Sequence, residues 1–254
     1  MIRLLLAFAL LAGLSGCGLA LEAHAEDEAQ GGPPAGAQVE QVDLAGLFGG
    51  VGGSFVLLDG ASGGYRVHDG ADAATRYLPA STFKVPHTLI ALQTGVASDS
   101  DEVRERDPAL APERDWWPRA WLEPHSIRSG LQASTVWLYQ AFAREIGDLR
   151  MLHWLQRFGY GNASIQGGID RFWLDGGLRI SGFEQVDFMR RMHEGRLPVD
   201  AQHLAALREL LVLDEGPDWR LSGKTGWAGF GEAGPGVGWL VGYIEHQGGV
   251  HYFA

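Results

Sequence analysis

The sequence places a serine and a lysine three positions apart, in Ser81-Thr-Phe-Lys84, at what has the pattern of a helix start. Side chains at positions i and i+3 lie on one face of a helix, so the Lys84 amine is expected beside the Ser81 hydroxyl. A serine hydroxyl is a poor nucleophile near neutral pH unless a neighbouring base accepts its proton. The spacing therefore predicts a fold that holds Ser81 and Lys84 together, as a nucleophile with its base.

A lysine acts as such a base only where burial lowers its pKa, and the residues around Lys84 predict a dry setting. Phe83 and Val85 flank the lysine, and Leu89 and Ile90 continue the apolar pattern. Taken alone, Ser-x-x-Lys is a weak signal, because the two residues fall at this spacing by chance in many exposed helices. Its interpretation depends on the motifs that follow it in the chain.

Residues 1–25 have the pattern of a secretory signal peptide, in which Arg3 precedes an apolar run too short for a comfortable membrane span. The protein is therefore expected to be exported to the bacterial periplasm. Two processing sites compete: Leu-Ser-Gly-Cys17 resembles a lipoprotein box, and Ala-His-Ala25 resembles an ordinary cleavage site. We favour lipidation of Cys17, as an outer-membrane anchor, because the apolar run ends just before it. Residues 26–42 have little apolar content and predict a flexible, solvated tether.

Charge and composition limit the possible partners. A formal net charge of -11 at pH 7 argues against a nucleic acid partner, whose phosphates would be repelled. Cys17 is the only cysteine, so no disulfide is predicted for the domain that follows. The nine histidines show no metal-ligand spacing, and no metal site is predicted. The oligomeric state is not encoded in any recognisable pattern.

Strand patterns lie at both ends of the chain and helical patterns lie between them. Strands are predicted over residues 53–59, 65–68, 220–227, 238–245 and 251–253. Helices are predicted over residues 81–94, 131–146, 151–158, 183–193 and 201–213. This order predicts one catalytic domain over residues 43–254, of α/β class and α+β type: a predominantly antiparallel sheet formed by both termini and flanked by helices, with an inserted all-helical lobe. A site is expected in the cleft between sheet and lobe.

Two short motifs downstream offer polar side chains to that cleft. Ser134-Thr-Val136 begins a predicted helix, where the Ser134 hydroxyl either relays a proton or simply caps the helix. Lys224-Thr-Gly226 lies on a predicted strand, where a cation, a hydroxyl and a glycine let an anionic substrate lie along the backbone. The alternative for this second motif is an ordinary surface strand with a turn glycine.

Between those motifs come Tyr160-Gly-Asn162 and Trp173-x-x-Gly176, in a segment whose glycines exclude a long regular element. Taken in order, the whole set of motifs resembles the class D (oxacillinase-type) serine β-lactamases of the penicillin-binding protein/β-lactamase superfamily. The resemblance covers roughly residues 53–254. It implies hydrolysis of small-molecule β-lactams through a serine acyl-enzyme, with no cofactor except the carbon dioxide or bicarbonate that carboxylates a lysine.

The resemblance implies a catalytic role for each matched residue. Ser81 would attack the lactam carbonyl, and Lys84, carboxylated on its amine, would act as general base in acylation and deacylation. Trp173 would donate a hydrogen bond from its indole to the carbamate. Ser134 would relay a proton to the leaving nitrogen, with Lys224 nearby to favour the transfer. Trp173 has the alternative of an ordinary core aromatic residue.

It also implies how substrate is held. Val136 would keep the lysine pocket dry, and Thr225 and Gly226 would line the substrate. The backbone N–H groups of Trp227 and of the reactive serine would form the oxyanion hole. Tyr160 and Asn162 are expected to shape their loop rather than to take part in the chemistry.

Two related functions share these motifs. A β-lactam sensor domain is acylated without turnover, but such receptors carry several membrane spans before the sensor, whereas one short apolar segment stands here. A penicillin-binding peptidase usually carries asparagine where this chain has Val136. The family also continues beyond residues 250–254, through an arginine that holds the substrate carboxylate and a terminal helix. We therefore expect a sequence truncated at its carboxyl end, with weakened substrate binding.

Overall fold

A computed structural model describes residues 31–229 and 236–254 of the chain. The predicted signal peptide, with its predicted lipid site at Cys17, lies outside these residues. In the described parts, seven strands form one sheet in the order β1-β3-β2-β7-β6-β5-β4. The strands are β1 Val39–Gln41, β2 Phe55–Asp59, β3 Tyr65–His68, β4 Val212–Gly216, β5 Trp219–Ala228, β6 Val237–His246 and β7 Gly249–Phe253.

The sheet joins the two ends of the chain, as the sequence predicts. Strands β2 and β3 form an antiparallel hairpin, and their alternate residues, among them Val56 and Val67, are buried. Strand β2 also pairs with β7, with Leu58 opposite Tyr252. Period-two burial on one face of such strands is what fixes their register against the helices. The predicted mixed architecture is confirmed.

Helices fill the chain between β3 and β4. They are α1 Gly70–Ala74, α2 Lys84–Gln93, α3 Ile127–Gln132, α4 Val136–Ile146, α5 Asp148–Phe158, α6 Gly182–His193 and α7 Ala201–Leu210. Helix α2 follows a 3-10 turn, Ala80–Phe83, and nearly all of its side chains are buried, which marks it as the central helix. In the described ranges, no helix combines the length and the apolar character that a membrane span requires.

The helix predicted over residues 131–146 is wrong in one respect, because the structure divides it into α3 and α4. Ser134, between them, has φ +56°, and a residue in the left-handed region cannot continue a right-handed helix. The N-cap position of α4 is held by Thr135 rather than Ser134. The alternative of Ser134 as an ordinary helix cap is therefore overturned.

Two segments form strands that the sequence did not predict. The helix predicted to residue 213 ends at Leu210, because Leu211 accepts a hydrogen bond from Gly223 N–H at 2.8 Å and β4 then pairs with β5. The predicted tether over residues 26–42 is ordered where it is described: β1 pairs in parallel with β3, and Ser181 Oγ donates to the Gly31 carbonyl at 2.5 Å. Strand pairing over residues 38–42 and the Ser181 contact at Gly31 hold a segment with few apolar side chains, so the tether prediction is corrected there.

Candidate active site

The reactive turn is the 3-10 turn Ala80–Phe83, which Lys84 follows directly. It places Ser81 and Lys84 in contact, as their spacing predicts. Lys84 Nζ lies 2.9 Å from Ser81 Oγ and donates a hydrogen bond to it. Ala80, just before the serine, has φ +48°, a strained conformation for a residue with a side chain. Its N–H donates to the Trp173 carbonyl at 3.0 Å, which ties the turn to a neighbouring loop. Strain before the serine is therefore held by the surrounding structure.

A second set of contacts fixes the turn from the side of α6. Thr82 Oγ1 donates to the Pro79 carbonyl at 2.7 Å, and the Gln185 amide donates to Thr82 Oγ1 at 2.8 Å. Tyr160 is fully buried, and its hydroxyl donates to Gln185 Oε1 at 3.4 Å. The nucleophile therefore stands on a rigid support of buried hydrogen bonds.

Lys84 lies in an apolar pocket with an exposed fraction of 0%. Its Nζ lies 5.3 Å from the centre of the Tyr139 ring, and the Tyr139 hydroxyl is in turn 2.8 Å from Thr88 Oγ1. Burial, and then the positive charge of Lys224, hold the pKa of Lys84 well below its ordinary value. This environment favours the neutral form of the lysine amine over the cation.

Trp173 packs against the two aromatic side chains that flank Lys84 along the chain, Phe83 and His87. It is fully buried, its ring centre is 5.5 Å from that of Phe83 and 5.3 Å from that of His87, and its Nε1 has no hydrogen-bond partner in the described part of the chain. The Trp173 loop can be compact because Gly176 packs against backbone, where an added Cβ would come within 2.3 Å of the Gln166 carbonyl oxygen. A buried indole N–H without an acceptor is unusual and is available to a ligand or modification.

On the other side of the site, Ser134 and Lys224 meet. Lys224 Nζ donates to Ser134 Oγ at 3.1 Å and to the Thr225 carbonyl at 2.9 Å. Burial lowers the pKa of Lys224 to about 8, which leaves the amine mainly cationic at pH 7. The left-handed turn at Ser134 is what presents its hydroxyl to this cation. Such a pair can hold an anion and pass a proton between oxygen and nitrogen atoms.

Strand β5 carries the remaining predicted residues alongside the reactive turn. A Cβ at Gly226 would lie 2.9 Å from the Pro79 carbonyl oxygen and 3.0 Å from Thr82, so only glycine lets the strand come this close. Thr225 is exposed, and Trp227 has an exposed fraction of 64%. These two side chains therefore lie on the exposed face of β5, alongside the turn that carries Ser81.

Val136 and Asn162 occupy supporting positions. Val136 is the first residue of α4 and is half-buried against the core. Asn162 bridges two loop segments: its side-chain nitrogen donates to the Gly177 carbonyl at 3.0 Å, and its oxygen accepts from Arg179 N–H at 2.9 Å. These contacts shape the loop that carries Trp173.

The structure also brings a residue to the pocket that the sequence analysis did not single out. His87 follows Lys84 by one helical turn, is fully buried, and lies 5.2 Å from both the Phe83 and Tyr139 rings, centre to centre. The signal that could have found it is a histidine at i+3 from the lysine in an otherwise apolar helix.

The chain is similar to known proteins over most of its length. Residues 53–254 match the family model described as the penicillin binding protein transpeptidase domain. The protein named beta-lactamase OXA-5, from Pseudomonas aeruginosa, is 40% identical over 206 residues, which are 80% of this chain and 74% of that protein.

Two solved structures share the fold. The class D β-lactamase YbXI from Nostoc has a TM-score of 0.77 and 36% identity, and the match covers 84% of this chain and 87% of that one. The C-terminal domain of the penicillin receptor BlaR from Bacillus licheniformis has a TM-score of 0.79 and 28% identity, over 86% of this chain and 87% of that one.

Proposed function

The chain belongs to the class D serine β-lactamases, within the penicillin-binding transpeptidase family, and on that premise we propose that Ser81 is the nucleophile and a carboxylated Lys84 the general base. Hydrolysis of β-lactams through a serine is the activity of this class. The observation that carries the proposal is a fully buried lysine amine 2.9 Å from a serine hydroxyl.

Carboxylation requires a neutral amine, because the nitrogen lone pair forms the new bond to the carbon of CO2 while one N–H proton leaves to solvent. Burial and the nearby charge of Lys224 lower the pKa of Lys84, which supports that neutral form. The unpartnered Nε1–H of Trp173 supports the fit of a buried anion here, since a dry donor without an acceptor is costly. When present, the carboxylate supplies a base that takes the proton of the Ser81 hydroxyl and later that of the hydrolytic water.

The chain's other residues complete the reaction. Ser134 passes a proton to the lactam nitrogen as the ring opens, and the Lys224 cation, 3.1 Å from Ser134 Oγ, lowers the barrier to that transfer and attracts an anionic substrate. Thr225 and Gly226 offer a surface along β5 for the rest of the substrate. The N–H groups of Ser81 and Trp227 are the proposed oxyanion donors, each typically worth about 3–4 kcal/mol of barrier. Val136 limits access of water to Lys84.

The alternative function is that of a sensor that is acylated and not regenerated. The likeness to the BlaR penicillin receptor supports this alternative. Both functions need the nucleophile and its base for acylation. They differ in the second half of the reaction, because only the hydrolase must activate water to release the acyl group. The rate of deacylation therefore separates the two functions.

The test is turnover of a chromogenic cephalosporin by the purified protein in buffer depleted of CO2, and again after bicarbonate is restored. We expect multiple turnovers that rise with bicarbonate and no lasting mass increase on Ser81. A stable acyl adduct with one turnover per molecule would support the sensor and contradict the hydrolase. Turnover that is indifferent to bicarbonate would exclude the carboxylated base.

We also propose that residues 1–25 direct the protein to the periplasm and that Cys17 is lipidated there. The support is the sequence pattern of the amino terminus. Palmitate labelling of expressing cells should mark the protein, and the Cys17→Ser variant should lose the label. A soluble mature form that begins at Glu26 would contradict lipidation.

A further inference from the structure

His87 is a buried polar residue near Lys84, and no step of the proposed reaction uses it. It lies on α2 at i+3 from Lys84 and continues the row formed by Ser81 and Lys84. Its exposed fraction is 0%, and neither Nδ1 nor Nε2 has a hydrogen-bond partner among the residues that the structure describes. Aromatic rings surround it: Phe83, Tyr139 and Trp173 all lie within 5.3 Å, centre to centre.

An imidazole in such a place is under strong electrostatic constraint. Burial, and then the charge of Lys84, lower the pKa of His87 to about 3, so the ring is neutral at pH 7. A neutral imidazole has one N–H donor and one acceptor nitrogen, and leaving both dry is unfavourable. Apolar residues of similar size would fill the space without that penalty. The presence of histidine therefore indicates that its N–H donor is used.

The neighbouring Trp173 has the same property, because its Nε1 is also buried and without a partner in the described residues. The two rings are 5.3 Å apart, centre to centre. Two unpartnered N–H donors beside a buried amine form a site for an anion carried by that amine, since a charge in a dry pocket must be compensated by hydrogen bonds.

We propose that His87 is a positioning residue for Lys84: its imidazole N–H, with the indole N–H of Trp173, donates to the carboxylate that CO2 forms on Nζ. The inference rests on the proposed carboxylation of Lys84. In that step the nitrogen–carbon bond forms, one C=O π bond of CO2 breaks and its electron pair moves to that oxygen as the carboxylate charge, and one amine proton goes to solvent. His87 neither gains nor loses a proton; its donor holds the product and favours its formation.

Loss of the donor should weaken CO2 binding. A hydrogen bond to a charged group typically changes an equilibrium by about tenfold or more. The probe is ¹³C-labelled bicarbonate, titrated into the full protein while the carbamate resonance is followed by NMR. In wild type we expect one signal that saturates and is absent from Lys84→Ala. In His87→Leu the same signal should require about tenfold more bicarbonate.

Three further variants separate a hydrogen-bond role from a packing role. Asparagine places an amide N–H near the position of Nδ1, and glutamine places one near Nε2. One of His87→Asn and His87→Gln should therefore restore most of the CO2 affinity that His87→Leu loses. His203→Leu, on α7, makes the same change outside the pocket and should behave as wild type.

The outcomes are distinct. A wild-type carbamate signal with unchanged affinity in His87→Leu would overturn the role of His87 while leaving the carboxylated base intact. Asn and Gln variants as weak as the Leu variant would also overturn it, since packing alone would then explain the loss. A wild type that turns over substrate and shows no carbamate signal would remove the proposed general base itself.

Discussion

The two lysines of the site are the same side chain in different surroundings. Lys84 is fully buried, with its amine near the Tyr139 ring and beside one hydroxyl. Lys224 contacts three oxygen atoms, those of Ser134 and of the Thr225 carbonyl and hydroxyl. The pKa of Lys84 falls well below its ordinary value, and that of Lys224 falls only to about 8. The lowered pKa favours the neutral form of the first amine, and the second stays mainly cationic at pH 7.

The difference shows how burial and hydrogen bonding set the protonation state of each lysine, and with it the role each can take. A fully buried amine with a single hydroxyl neighbour does not easily hold a charge, whereas an amine among several oxygen acceptors can. The two also influence each other, because the Lys224 charge is the second cause of the lowered pKa of Lys84. A substitution at either lysine therefore tests this division directly.

The largest expected effect is at Lys84. Its replacement by alanine removes the base for both half-reactions, and loss of such a base typically lowers rates by about 10²–10⁴-fold. Deacylation should become the slower step, so a stable acyl adduct on Ser81 should accumulate and be visible by mass spectrometry. Ser81→Ala is the control, and it should form no acyl adduct. Ordinary turnover in Lys84→Ala would contradict the assignment of the base.

A smaller loss is expected when Lys224 becomes alanine. Removing a charge-assisted hydrogen bond should lower kcat/KM for an anionic β-lactam by about 10–100-fold, mainly in acylation. Lys224→Arg keeps the positive charge and should lose less. Steady-state kinetics on both variants measure the effect. An alanine variant with the kcat/KM of wild type would show that the cation is not used.

The pH profile separates the two lysines. Activity should fall in acid as Lys84 becomes protonated, and fall in alkali above about pH 8 as Lys224 loses its proton. Arginine stays charged, so in Lys224→Arg the alkaline limb should move up by more than about two pH units. The measurement is kcat/KM from pH 5 to 10 at constant dissolved CO2. An alkaline limb that stays at pH 8 in the arginine variant would belong to another group.

The smallest effect concerns stability. Because the pKa of folded Lys84 lies below that of the unfolded chain, unfolding takes up a proton, and the wild type loses stability as pH falls from the alkaline range toward neutrality. In CO2-free buffer at pH 7, Lys84→Met should raise the free energy of unfolding by about 0.5–2 kcal/mol. The gain should fade as pH rises toward the ordinary pKa of lysine.

Urea denaturation at several pH values checks this change. Lys224→Met is the matched control and should gain less, because it gives up hydrogen bonds to Ser134 and Thr225. A Lys84→Met protein with a lower free energy of unfolding than wild type at pH 7 would show that the buried amine does not destabilise the fold.

Local patterns in the sequence predicted much of this arrangement. The contact of Ser81 with Lys84 follows from helical spacing, and the two-ended sheet follows from strand patterns at 53–68 and 220–253. Both depend on near neighbours or on simple periodicity, which a sequence displays directly.

Features set by tertiary contacts could not be predicted in this way. The break at Ser134 depends on a left-handed backbone conformation that apolar periodicity does not encode. Strand β1 exists because β3 offers a pairing edge, although residues 31–42 are poor in apolar side chains. His87 looks like a lone histidine in an apolar helix until the rings around it are known.

The most direct test of the central claim is a crystal structure of the protein grown at alkaline pH in bicarbonate. The account predicts electron density for a carboxylate on Lys84 Nζ, within hydrogen-bond distance of Ser81 Oγ and Trp173 Nε1, and an unmodified amine on Lys224. A bare Lys84 amine, solvated and turned away from Ser81, would contradict it.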